Sequence, residues 1–103
     1  MAKRQMEKDI EKYLVSEIKA MGGICYKFTS PAHNGVPDRI CIVPTGYVHF
    51  VECKAPTGML SVLQRREIQE LLKLGCTVSV VHSKEDVNQV IEGLKNIIKI
   101  RKA

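Results

Sequence analysis

The sequence predicts a mixed α/β fold, an α+β mixed sheet with element order αβββαβα, and three observations carry that prediction. Apolar residues recur at helical spacing in three separate stretches. Four short runs rich in β-branched residues lie between them, two of them flanking the turn Pro44-Thr45-Gly46 as a hairpin. A helix separates the last two strands, and such a crossover joins parallel neighbours.

The first helix is expected over Met6 to Met21, with Ile10, Leu14, Ile18 and Met21 on its apolar stripe and Gly22-Gly23 stopping it. Stepping back from Leu14 by three or four residues reaches Glu11 and then Glu7, so both carboxylates border the buried face. The dipole of a first helical turn and pairing with Lys8 and Lys12 would also account for them. Ile24 to Phe28 reads as the first strand. A polar loop from Thr29 to Gly35 follows, with His33 and Asn34 as candidate substrate contacts. Pro37 holds Val36 extended and sets the approach of Asp38. The hairpin strands are Ile40–Val43 and Val48–Val51, opened by Asp38 and closed by Glu52 and Lys54.

A second helix begins near Ser61, where Ser61-Val62-Leu63-Gln64 matches a capping box. Its inward stripe is Gln64, Ile68, Leu71 and Leu72, so Gln64 is a polar residue on a buried face, explained by capping or by catalysis. Gly75 ends that helix and Thr77–Val81 is the fourth strand. The last helix starts around Ser83 and Asp86, with a possible break at Gly93 and a frayed basic tail from Lys99 to Ala103.

At 103 residues the chain is long enough for one compact domain, expected to span 1–103. A hydrophobic content of 45% with 26% charged residues is ordinary for a globular protein. No apolar run suggests a membrane span or a signal peptide, so an intracellular location is expected. Cys25, Cys41, Cys53 and Cys76 lack zinc or redox spacing and read as reduced core thiols. The formal charge of +5 suits an anionic partner, while 5% aromatic residues and no Trp argue against a base-stacking platform.

Chemistry concentrates in the hairpin. Side chains alternate along a strand, so Glu52 and Lys54 share a face, and antiparallel pairing brings Asp38 beside them. Two carboxylates and an ammonium at one end of a sheet suit a divalent cation next to a phosphate, or else form a solvated ion-pair cluster.

Asp38, then Glu52-Cys53-Lys54 closing the next strand, within that element order, resembles the PD-(D/E)xK nuclease superfamily. GVPDRI, VHFVECKAP, and LSVLQ ahead of a helix ending in LG are similar to the VRR-NUC (virus-type replication-repair nuclease) family. EKDIEKYLVSEIKAMGG also resembles its small stand-alone phage members, for which the location would be the host cytoplasm. The likeness runs from about Glu7 to Val81. It implies a restriction-endonuclease-like core and magnesium- or manganese-dependent cleavage of DNA. Carried over by motif, Asp38, Glu52 and the Cys53 backbone carbonyl would hold the metal, with Glu11 also contributing through water and Glu7 as its alternative. Lys54 would be the catalytic lysine and Gln64 the glutamine of the following helix.

An ordinary lysine keeps its proton well above neutral pH, so Lys54 is expected to orient water and contact the phosphate as an ammonium rather than act as a base. Stand-alone nucleases of this superfamily include Holliday-junction resolvases that work as homodimers. The apolar faces of the first and last helices are the expected dimer surfaces. The competing readings are a non-catalytic DNA- or replication-protein-binding module, and a structural domain with a surface ion-pair network.

Overall fold

The computed structural model describes residues 6–102. Helix α1 (Glu7–Ala20) leads to β1 (Ile24–Lys27), β2 (Arg39–Val43) and β3 (Tyr47–Cys53). Helix α2 (Val62–Lys73), β4 (Thr77–Val81) and α3 (Lys84–Lys102) complete the expected order. The strands form one sheet, β1-β2-β3-β4. The first two pairings are antiparallel, and β3 runs parallel to β4 across the α2 crossover.

Alternation along the strands divides the sheet into two unlike faces. Cys41, Val43, Val51, Cys53 and Val81 point toward α1 and α3 and form the core with Ile10, Leu14, Ile18, Val87, Ile91 and Leu94. The stripes of α1 and α3, expected as dimer surfaces, are therefore buried inside the protein: Ile10, Leu14 and Ile18 are all at 0% exposure. The opposite face is only partly covered, because α2 packs against β4. Ile24, Ile42 and Val48 lie side by side on it, as do Tyr26, Ile40 and Phe50 in the next row. Ile24, Tyr26 and Val48 are exposed.

Three other expectations change. The last helix continues unbroken through Gly93 and its basic end is ordered to Lys102, while Ala103 lies outside the described residues. Arg101 anchors that end, its guanidinium 5.1 Å from the centroid of the Tyr47 ring and donating to the Thr45 carbonyl at 3.3 Å. Leu72 of α2 is exposed instead of inward, leaving Gln64, Ile68 and Leu71 on the sheet side. All four cysteines are free thiols, with Cys41 and Cys53 buried and Cys25 and Cys76 half-buried. No helix among the described residues is long and apolar enough to cross a membrane.

His49 is the buried polar side chain of the core face. Its Nε2 lies 2.8 Å from Ser79 Oγ, and Nδ1 has no partner among the described residues. Burial pushes the imidazole down to about 4, from an ordinary 6.5. A base whose folded value is depressed contributes stability above its unfolded value and loses it as pH falls through the folded one. The protein is expected to lose up to about 3 kcal/mol between pH 6.5 and pH 4 from this residue. Urea unfolding at the two pH values should show that loss shrinking in His49→Asn.

Candidate active site

The open end of the β2–β3 hairpin is held from three directions. Pro37 is fully buried and delivers the chain to Asp38. The Asp38 carbonyl accepts the Phe28 N–H at 2.8 Å, so the β1 side extends the ladder to that residue. On the β3 side each acid accepts a backbone N–H from across the hairpin, Glu52 from Asp38 and Asp38 from Cys53. The Asp38 N–H donates to Glu52 Oε1 at 3.2 Å, and the Cys53 N–H donates to Asp38 Oδ1 at 3.1 Å. Parallel pairing continues past β3, where the Lys54 N–H donates to the Val81 carbonyl at 2.9 Å.

Glu52 is 4% exposed and is the hub. Its Oε2 accepts from Gln64 Nε2 at 3.1 Å and lies 3.6 Å from Lys54 Nζ. Gln64 caps the helix and also reaches into the carboxylate pair. Its backbone N–H donates to Ser61 Oγ at 3.1 Å, and its Oε1 accepts the Ser61 N–H at 2.9 Å, which closes the capping box. The amide nitrogen is thereby aimed at Glu52. The cap of α2 thus also orients a carboxylate of the site.

Glu11 turns the other way. Its Oε2 accepts from Arg39 Nε at 2.8 Å, and Arg39 Nη1 also reaches the Cys25 carbonyl at 3.4 Å. Among the described residues, no three His, Cys, Asp or Glu side chains form a ready-made cation cage. Asp38 and Glu52 make a pair, with Glu11 and the exposed Glu7 close enough to act on Asp38 through charge. Sequence reasoning gave Arg39 no role. The available signal was a cation in phase with the buried Cys41 and Val43, a position that requires an acid across from it.

The electrostatics record the strain of that pairing. Burial first, and then the neighbouring Glu52, push the Asp38 carboxyl up to about 7, although its bond from the Cys53 N–H opposes the rise. Burial also raises Glu52, against the pull of Lys54. Two part-buried acids with a single ammonium beside them are short of positive charge. That deficit, with oxygen donors only, fits a hard dication that takes one or two carboxylates and leaves positions for water and phosphate.

The loop before Asp38 closes over the start of α2. His33 Nε2 lies 2.5 Å from Glu67 Oε1, while Asn34 is exposed. Gly35 has a φ of +95°, and a Cβ there would sit 2.7 Å from the Leu63 carbonyl. Gly35→Ala is therefore expected to destabilise the protein by about 1–3 kcal/mol. It should also weaken the Gln64–Glu52 contact and lower activity; thermal unfolding and a cleavage assay check the two effects.

Three comparisons with known proteins bear on the family and the fold. The sequence model of a family described as the VRR-NUC domain matches residues 4–85. "Putative nuclease p44" of Acyrthosiphon pisum secondary endosymbiont phage 1 is 49% identical over 85 residues, covering 82% of this chain and 90% of that protein. A solved structure described as a VRR_NUC domain superposes with a TM-score of 0.79 at 31% identity, covering 85% of this chain and 97% of the other.

Proposed function

Because the chain belongs to the VRR-NUC domain family, we propose that it is a magnesium- or manganese-dependent, structure-selective DNA endonuclease acting as one domain over 1–103. Its preferred substrates are branched, four-way Holliday junctions among them. The observation that carries this reading is the clasp of Asp38 with Glu52 and the Cys53 N–H, with Lys54 and Gln64 converging on the Glu52 carboxylate. A module that only grips DNA gains nothing from buried acids facing phosphate.

Asp38, Glu52 and the Cys53 carbonyl would hold the dication, with Glu11 contributing through water or Glu7 in its place. When bound, that ion lowers the pKa of water and offsets charge developing on the phosphate. Gln64 and the Asp38 N–H fix the rotamer of Glu52. Lys54 presents an ammonium to the attacking water and the scissile phosphate. Arg39 balances Glu11 and sets which way that carboxylate faces.

Junction cleavage calls for two equivalent sites related by a two-fold axis, since a four-way junction has near two-fold symmetry. Support for a homodimer comes from the uncovered apolar rows of β1 to β3, which share a face with Glu52. Tyr26→Glu, at the exposed β1 edge of that patch, tests it by sedimentation.

The deciding experiment incubates the protein with magnesium or manganese on linear, nicked, flap and four-way DNA. Strand-resolved products should show paired cuts on branched substrates that EDTA suppresses. Salt-sensitive binding with no cut on any substrate would instead assign the chain as a binding module.

A further inference from the structure

One flank of α1 is a groove of about 540 Å³ lined by Lys8, Lys12 and Lys19, with Arg39 and Glu11 on its site-facing wall. All three lysines are exposed, and none is in an ion pair among the described residues. Both carboxylates of the groove are engaged elsewhere: Asp9 accepts the Met6 N–H at 3.1 Å, and Glu11 is paired to Arg39. The strip therefore presents net positive charge to solvent. Eleven residues separate Lys8 from Lys19, about 16 Å of helix axis, enough to follow several successive phosphates of one strand.

The strip also has a direction. Glu7 and Glu11 at the start of α1 act on Asp38 through charge, whereas Gly22, just past its end, lies against Pro44 at the hairpin turn. The lysines thus lead from the carboxylate pair toward the far end of the sheet. A second basic group, Lys99, Arg101 and Lys102, sits at that far end, tied to the turn through Thr45 and Tyr47.

We propose that Lys8, Lys12 and Lys19 form the track on which one strand of duplex DNA lies as it leaves the candidate active site. The assignment deepens the nuclease reading and rests on it. Lysines held by a single helix contact phosphates without reading bases, so the track supplies affinity and orientation and leaves sequence unread. Arg39 forms its inner wall and couples the track to Glu11.

The test compares two variants on a duplex in EDTA, as a function of salt. Lys8→Ala/Lys12→Ala/Lys19→Ala should weaken binding at least ~10-fold and reduce the slope of log affinity against log salt by about 2 to 3. Lys73→Ala, on α2 and already paired to Glu70 at 3.6 Å, should leave affinity within about twofold and the slope unchanged, because that cation lies away from the path. Alanine favours an exposed helix, so both variants keep the fold, and circular dichroism verifies it. Equal losses in both variants, or none in the first, overturn the track. Cleavage by the unmodified protein with magnesium is measured alongside: its absence overturns the nuclease reading, while the salt slopes still report on the track.

Discussion

Lys54→Ala is expected to reduce magnesium-dependent DNA cleavage by about 10²–10³-fold or more, with DNA affinity in EDTA changed by less than about twofold. The asymmetry follows from what surrounds the residue. Lys54 Nζ is 3.6 Å from Glu52 Oε2 and supplies the ammonium of the cluster. Glu52 keeps its bonds from the Asp38 N–H and from Gln64 Nε2 when the lysine is cut back, so the carboxylate stays in place. Its proton is held more tightly, since Lys54 is the main influence opposing burial there. The variant therefore loses the group that would face phosphate and also weakens the ionisation of a candidate ligand. Lys54→Arg restores charge with a planar, bulkier head, and should recover part of the activity. Cleavage by Lys54→Ala at the rate of the unmodified protein would remove the residue from the mechanism.

The second large effect concerns Asp38. A carboxyl whose folded pKa is raised contributes stability in its protonated form, complete below the unfolded value and lost as pH rises through the folded one. For Asp38 those bounds are near 3.8 and about 7. Asp38 is thus expected to withdraw stability from metal-free protein between pH 5 and pH 8 as it ionises beside Glu52, against the gain from His49 below pH 6.5. Asp38→Asn keeps an oxygen to accept the Cys53 N–H and removes the charge. In EDTA at pH 8 it should be more stable than the unmodified protein by about 2 kcal/mol, after allowance for solvent screening. The difference should narrow to under half by pH 5 and close near pH 3.8. Magnesium or manganese should raise the melting temperature of the unmodified protein at pH 8 and leave Asp38→Asn unmoved. Thermal unfolding with and without metal at the two pH values checks all three statements. A variant that melts below the unmodified protein at pH 8 without metal would contradict the charge argument.

Much of this organisation is legible in the sequence, because short-range rules govern it. The Pro44-Thr45-Gly46 turn sets the hairpin, the hairpin sets the register, and the register brings residue 38 to residue 52. Helix periodicity likewise identifies Ile10, Leu14 and Ile18 as a buried stripe. What periodicity omits is the identity of the partner. The stripes of α1 and α3 looked available for a second copy, because a stripe reports that it is covered and not by what. Glu11 and Arg39 are 28 residues apart, and no local rule joins them. Gln64 serves the cap and Glu52 together because an amide has two ends, a division visible only once α2 is set against β3. The ordered end of α3 escaped notice for the same reason: Arg101 depends on Tyr47, 54 residues earlier in the chain.

The strand that steadies Glu52 and Lys54 is made after both of them. Residue 52 is registered against Val80, and the Lys54 N–H is fixed by the Val81 carbonyl. During synthesis, both acids and the lysine emerge from the ribosome well before β4. Until that strand docks, β3 is an unsupported border and its end is free to sway. A nascent chain stalled after α2 would carry every proposed catalytic group and still lack a working centre, so the proposed centre is withheld until β4 has been made.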